Sequence, residues 1–253
     1  MQTSIGLVHY GSPAFLPLLN EWVRIYKDSK CRLPVVILAD LTVPIPSEFI
    51  KRVRGKPQQF SYVRFDPMDN IRIMRPGKAF DAKGAIIIQA IQHILDPLLI
   101  VDTDAFFVKD PTALIQKLPD ERLMMGDDPN TRYIQGVLDG NNAVAERNAG
   151  VLYFCGDDDY GRTSLAAQYV HTFVTLRELN NNAMLEQCTW TMLSRKYSQT
   201  KLPRPLNWSY IWDRYATEAF IVHEHGPQKW EKINGASRTM VGTLDPIYKN
   251  AYK

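Results

Sequence analysis

The chain has 253 residues, of which 45% are hydrophobic, and a formal net charge of +3. This length and composition support one sizeable core, and so small a charge gives no argument for a nucleic acid or an anionic membrane as a partner. Three isolated cysteines argue against a disulfide framework or a cysteine zinc site, and they favour a reducing compartment. The first residues do not have the pattern of a signal peptide, and no stretch approaches the roughly 20 apolar residues of a membrane span. We therefore expect a cytoplasmic protein without a membrane span.

Strands and helices alternate along the first half of the sequence. Short apolar runs predict strands at Ile5–Tyr10, Pro34–Asp40, Tyr62–Phe65 and Leu98–Val101. Apolar residues at helical spacing predict helices at Ala14–Tyr26, Ser47–Arg54 and Ala79–Leu95. This order predicts an α/β fold with a Rossmann-like, mainly parallel sheet and helices on both faces.

The second half of the sequence is less regular. Strands are predicted at Leu123–Gly126, Gly150–Cys155 and Ala219–His223, and helices at Ser164–Leu179 and Leu185–Lys196. No linker rich in proline, glycine or serine interrupts the chain. We therefore expect one domain over residues 1–253.

Two aspartates follow the strand Leu98–Val101 and are separated by Thr103. Residues i and i+2 of an extended strand point to the same side, so Asp102 and Asp104 repel each other unless a cation lies between them. Mg²⁺ and Mn²⁺ prefer oxygen ligands of this kind. The alternative is ordinary polarity where a strand leaves the core. A second acidic run, residues 157–159, is interpreted as a solvated, helix-capping cluster.

Lys83 lies on the apolar face of the helix that precedes these aspartates. The N-terminus of that helix is expected at the same sheet edge, where a lysine can bind a phosphate together with the positive end of the helix. The alternative is that the side chain extends along the apolar surface and places its amine in water. The sequence leaves both interpretations open.

Five motifs occur in a fixed order along most of the chain. They are IVDTDAFFVKDP, RNAGVLYF, LEQCTW, LPRPLNW and HEHGPQKW. Together they resemble a GT-A glycosyltransferase, most closely the retaining family of glycogenin and the lipopolysaccharide galactosyltransferases. The resemblance implies a GT-A fold with a nucleotide-binding half at about residues 1–110, a sugar and acceptor half at about 111–230 and a tail at 231–253.

The resemblance implies a metal site built from Asp102, Asp104 and His223. His225 is two residues further on and ranks behind His223 as the ligand. An imidazole ligand shifts the preference from Mg²⁺ toward Mn²⁺. The same comparison implies that Lys229 contacts the diphosphate, with Thr103 and Gly226 also in the donor site. The family has a proline between the lysine and the tryptophan, which this sequence lacks.

The donor sugar has its own implied contacts. Asn148 and Gly150 match the family's Asn-Ala-Gly signature, whose asparagine helps to hold the sugar. Either Asp127 or Asp128 matches an acidic sugar contact.

Two further groups of residues are implied around the donor. Glu186 and Gln187 occupy the place of an Asp-Gln pair near the reactive face of the sugar, where glutamate for aspartate adds one carbon. His9 and Tyr10 are expected near the uracil base, and Asp40 ends the next strand. The alternative for these last three residues is that they are polar only because they lie where a strand ends, with no role in binding.

The predicted function is a metal-dependent transfer of a hexose or related sugar from a UDP-sugar, with retention. The acceptor stays open among a glycan, a glycolipid, a protein and a modified nucleic-acid base. Trp208, Tyr210 and Trp212 either stack on an acceptor or pack in the core. The alternatives are a sugar nucleotidyltransferase, which would need a glycine-rich loop after the first strand, a metal nuclease, and a non-catalytic sugar-nucleotide or glycan-binding protein.

Overall fold

A computed structural model describes residues 2–10, 16–45, 47, 60–76, 78–127, 147–156, 159–179, 185–209 and 218–223. Among these residues the strands are β1 Ser4–His9, β2 Val35–Asp40, β3 Phe60–Phe65, β4 Leu98–Asp102, β5 Ala105–Phe107, β6 Met124–Asp127, β7 Arg147–Phe154 and β8 Ile221–His223. The α-helices are α1 Leu16–Asp28, α2 Ala79–His93, α3 Thr112–Ile115, α4 Asp159–Leu179 and α5 Leu185–Tyr197. Two 3₁₀ helices lie at Pro67–Ile73 and Arg204–Leu206.

The main sheet contains six strands in the order β3-β2-β1-β4-β7-β6. Strands β3, β2, β1 and β4 pair in parallel, whereas β7 is antiparallel to both β4 and β6. Since β6 is antiparallel to β7, it runs in the same direction as β4. The predicted α/β fold with a mainly parallel sheet is therefore confirmed, with β7 as the one reversed strand of this sheet.

Each face of the sheet has its own core, because successive strand residues point to opposite sides. Val8 of β1 packs with residues of α2, α4 and α5, among them Ile87 and Phe173. Its neighbour Leu7 packs on the other face against α1, including Trp22. Full burial of side chains of this kind contributes about 1.5–3 kcal/mol each. Helices on both faces were expected, and the two cores are the reason the arrangement is stable.

Several element boundaries differ from the sequence prediction. Strand β7 begins at Arg147, three residues before the predicted Gly150, because the polar residues that open it do not give an apolar strand pattern. Helix α4 begins at Asp159 rather than Ser164, so the acidic run that was interpreted as a loop already contributes to the helix. Of the helix predicted at Ser47–Arg54, only Ser47 lies within the described residues.

A small second sheet was missed by the sequence prediction. It consists of β5 and β8, which pair antiparallel with Ala105 opposite His223. Strand β8 begins at Ile221 rather than the predicted Ala219. Strand β5 has three residues, which is too short for an alternating pattern to be recognised, and nothing local predicts its pairing with β8.

Candidate active site

Polar residues from four strands meet at one edge of the main sheet. His9, Asp40 and Asp102 are the last residues of the parallel strands β1, β2 and β4. Because β7 runs in the opposite direction, its first residues lie at this edge as well, and Asn148 is placed there. Ligands of parallel α/β sheets bind at the carboxyl edge, so the reversed strand adds its residues to the same site.

Asp102, Asp104 and His223 form a group that can hold a metal ion. One potential ligand atom from each of them lies within 4.8 Å of the others, and His223 Nε2 is 3.3 Å from Asp104 Oδ1. Neighbouring ligands in an octahedral shell of about 2.1 Å radius lie about 3 Å apart. The Oδ1 atom of Asp102 is buried and accepts no hydrogen bond from the described residues. The donor set therefore fits a divalent cation.

Gly150 leaves the space that the imidazole of His223 occupies. A Cβ atom built on Gly150 would lie 1.8 Å from Cε1 and 2.3 Å from Nδ1 of His223. Any other residue at this position would displace the imidazole. The glycine of the Asn-Ala-Gly signature thus has a steric role at the histidine of the metal group.

Helix α1 supports the aspartate loop, the turn of residues 102–105, from the face of the sheet opposite α2. The indole N–H of Trp22 donates a 2.7 Å hydrogen bond to the carbonyl of Ala105, the residue that follows Asp104. Trp22 also stacks on Tyr26 at 5.0 Å and meets the edge of Phe107 at 5.6 Å. A buried donor held in this way fixes the backbone of the loop.

Lys83 lies inside the site and binds to three groups. Its Nζ atom is 2.9 Å from Asp102 Oδ2, 2.8 Å from the carbonyl of Ala149 and 3.8 Å from Glu186 Oε1. Burial opposes the charge, but the two carboxylates outweigh it, and the pKa of Lys83 is raised. Lys83 is 2% exposed, so the interpretation that its amine extends into water is wrong.

Glu186 and Gln187 lie in the first turn of α5, and both are buried. Burial is the largest influence on Glu186 and raises its pKa to about 7, although the charge of Lys83 acts against it. Gln187 Oε1 accepts a 3.4 Å hydrogen bond from the backbone N–H of Ala149. Ala149 is therefore held at its carbonyl by Lys83 and at its N–H by Gln187.

The residues predicted near the base lie at the ends of β1 and β2. His9 is buried, and burial lowers its pKa to about 4 although Asp40 acts in the opposite direction. Asp40 Oδ1 accepts hydrogen bonds from the backbone N–H and the hydroxyl of Thr42, so this carboxylate shapes its own turn. Burial and then the charge of Asp102 raise the pKa of Tyr10.

Asn148 contacts a residue that the sequence analysis did not select. Its Oδ1 atom accepts hydrogen bonds from the N–H of Gly150 at 2.8 Å and from Nδ2 of Asn207 at 3.3 Å. Asn207 belongs to the LPRPLNW motif, of which the sequence analysis considered only the aromatic residue. The available signal was a polar residue between the apolar Leu206 and Trp208.

Of the remaining predicted residues, three lie within the described part of the chain and six lie outside it. Thr103 lies in the turn between β4 and β5, and Asp127 makes an exposed 2.6 Å ion pair with Lys201. Trp208 is buried with Val108, Ala219 and Val222, as the core interpretation expected. Six residues lie outside the described residues, namely Asp128, Tyr210, Trp212, His225, Gly226 and Lys229.

Solved protein structures resemble this chain, although no protein-family model and no curated protein sequence matches it. It is similar to GlyE, a glycosyltransferase of Streptococcus pneumoniae TIGR4, with a TM-score of 0.61 and 15% identity over 100% of this chain and 65% of GlyE. It is similar to the galactosyltransferase LgtC, solved in complex with donor and acceptor sugar analogues, with a TM-score of 0.61 and 13% identity over 95% of this chain and 100% of LgtC. Mouse xyloside xylosyltransferase 1 gives a TM-score of 0.54 and 12% identity over 89% of this chain and 98% of the other.

These likenesses define the fold. The chain has the GT-A fold of glycosyltransferases, and the resemblance noted in its motifs is confirmed at that level. The chain spans 65% of the length of GlyE and the whole length of LgtC. In the part of the chain that is described, no helix has the length and apolar character needed to cross a membrane.

Proposed function

We propose that this protein is a glycosyltransferase that requires a divalent cation and transfers a hexose or related sugar from a UDP-sugar with retention. The observation that carries the proposal is the group Asp102, Asp104 and His223 at the carboxyl edge of a GT-A sheet. A nucleotide-sugar site at this edge is supported by analogy, since ligands of parallel α/β sheets bind at the carboxyl edge. The chain is proposed to act as one GT-A domain.

The metal group would hold Mn²⁺ or Mg²⁺, and the histidine nitrogen favours Mn²⁺. When bound, such an ion stabilises the negative charge on a diphosphate leaving group without a proton. Asp102 would offer Oδ1 to the ion, because Lys83 already occupies Oδ2. Lys229, outside the described residues, is proposed as a further contact of the diphosphate.

The sugar would lie against the first turn of α5 and the start of β7. Lys83 and Gln187 hold the backbone of Ala149 from both sides, and this fixes the neighbouring Asn148 for a sugar hydroxyl. Glu186 is buried beside Lys83, and its raised pKa of about 7 allows it to be neutral or charged near physiological pH. Asp128 is proposed as a second hydroxyl contact.

The first experiment measures UDP release from a panel of UDP-sugars in Mn²⁺ or Mg²⁺, because hydrolysis requires no known acceptor. Melting temperatures with UDP and each ion accompany it. A ligand at a hundredfold excess over its Kd stabilises the folded state by about 2.7 kcal/mol. Asp104→Asn should abolish both the release and the stabilisation by UDP with the ion, whereas Asp69→Asn, an exposed control in the first 3₁₀ helix, should leave both intact.

Each outcome separates the candidate functions. Release of UDP by the wild type supports the transferase, and the anomeric configuration of the first released sugar, read by NMR, tests retention. Stabilisation by UDP without release from any sugar supports the non-catalytic binding protein. Formation of diphosphate from UTP and a sugar 1-phosphate supports the nucleotidyltransferase.

A further inference from the structure

The segment of residues 202–209 joins the metal group to the far edge of the main sheet. The N–H of Leu202 donates to the carbonyl of Met125 in β6 at 3.0 Å. Six residues later, the carbonyl of Trp208 accepts a 2.7 Å hydrogen bond from the N–H of His223. This segment therefore contacts both the strand beside Asn148 and the strand that carries the metal-binding histidine.

Asn207 extends from this segment to Asn148. Its Nδ2 group donates to Asn148 Oδ1, and so does the backbone N–H of Gly150. Both partners are donors, so the oxygen of the Asn148 side chain must face them. The Nδ2 group of Asn148 then points away from Asn207, and the orientation of the predicted sugar contact is fixed.

The backbone of β6 is shaped to admit Asn207. Gly126 lies opposite Asn148, at a point where the pairing of β6 and β7 shifts register. A Cβ atom built on Gly126 would lie 3.2 Å from Nδ2 and 3.3 Å from Cβ of Asn207. The absence of a side chain at this position therefore lets the amide pack directly onto the strand.

Asn207 is retained at a cost to stability. Its Oδ1 atom is buried and accepts no hydrogen bond from any residue in the described part of the chain, and the whole residue is 2% exposed. A buried polar atom of this kind destabilises a fold unless something else requires the residue. An apolar residue of the same volume would avoid that cost, so the requirement is better explained by the site than by packing.

We propose that Asn207 is a positioning residue of the donor-sugar site and that it acts through the side chain of Asn148. This inference rests on the proposed function. It predicts that Asn207 governs the turnover of the sugar donor and has little effect on the affinity for UDP and the metal ion. The reason is that the described side-chain hydrogen bond of Asn207 goes to Asn148 and to none of the three residues of the metal group.

The test replaces Asn207 with leucine, which keeps the branched outline of the side chain but is larger, and which removes both the donor and the buried oxygen. kcat and KM for UDP-sugar hydrolysis, the Kd for UDP in Mn²⁺ and the melting temperature are measured for Asn207→Leu, Asn148→Leu and the double variant. Asn20→Leu in α1 is the control for the substitution itself. Non-additivity in such a cycle identifies residues that act as a unit.

The expected result is a loss of kcat/KM between about 10-fold and 100-fold for Asn207→Leu, with the Kd for UDP within about 2-fold of wild type. The double variant should be no slower than Asn148→Leu. Wild-type turnover in Asn207→Leu, losses that multiply in the double variant, or an equal loss of UDP affinity would each overturn the inference. A wild type that hydrolyses no UDP-sugar would instead refute the proposed function, and the inference with it.

Discussion

The contact between Gly150 and His223 allows the metal group to be tested without changing a ligand. In Gly150→Ala the new Cβ would lie 1.8 Å from Cε1 of His223, whereas carbon atoms pack at about 3.5 Å. The imidazole must therefore move by roughly 1.7 Å, far beyond the tolerance of about 0.2 Å on a metal–ligand distance. We expect the affinity for UDP in Mn²⁺ to fall by about 10-fold to 100-fold.

The assay is calorimetric titration of UDP at saturating Mn²⁺, with the melting temperature recorded for each variant. His223→Ala sets the size of the effect, and the double variant Gly150→Ala with His223→Ala should bind no more weakly than His223→Ala alone. Gly6→Ala is the matched control, because the new Cβ would contact only core side chains and not the metal group. It would lie 3.0 Å from Leu38, 3.1 Å from Ile100 and 3.4 Å from Leu98. Wild-type affinity in Gly150→Ala, or an equal loss in Gly6→Ala, would refute the reasoning.

Three other predictions concern two buried groups around the site and one carboxylate away from it. Trp22→Phe keeps an aromatic ring but removes the donor to Ala105, so the free energy of unfolding should fall by about 1–3 kcal/mol and UDP should bind more weakly in Mn²⁺; lower stability with unchanged binding would contradict the proposed link. Burial raises the pKa of Glu186 to about 7, so the stability of the metal-free wild type relative to Glu186→Gln should be greatest below the ordinary pKa of 4.5 and fall by about 3 kcal/mol as the pH rises through 7. Urea unfolding from pH 4.5 to 8 measures this, and a constant difference would refute it. Glu121→Gln should behave in the opposite sense, since burial opposes but hydrogen bonds such as that from Ser198 prevail and lower the pKa of Glu121, so the wild-type advantage is lost as the pH falls.

The main sheet and the aspartate pair were predictable from local sequence patterns. The apolar run that ends at Asp102 marks a buried strand, and the rule that parallel strands share a carboxyl edge places the aspartates in a site. His223 came from the order of motifs and not from any local pattern. The structure brings Asp102, Asp104 and His223 together, while their role as ligands stays a prediction.

Other features of the site depend on contacts between distant segments. A lysine on an apolar helix face signalled that Lys83 was unusual, but nothing local identified Asp102 and the Ala149 carbonyl as its partners. Trp22 resembles any core aromatic residue until its indole is seen to reach the aspartate loop. Asn207 was passed over because an asparagine beside an aromatic residue is common in loops.

The pairing of β5 with β8 has a consequence for how the protein is made. The residues that it brings together are 114 to 118 positions apart, so this contact requires a long loop to close and is expected late in folding. A nascent chain that ends before residue 221 carries both aspartates but has no histidine beside them. Cation binding would then report that synthesis has passed residue 223, and the bound ion would act as a reversible crosslink that favours the fold containing this strand pair over products that end before it.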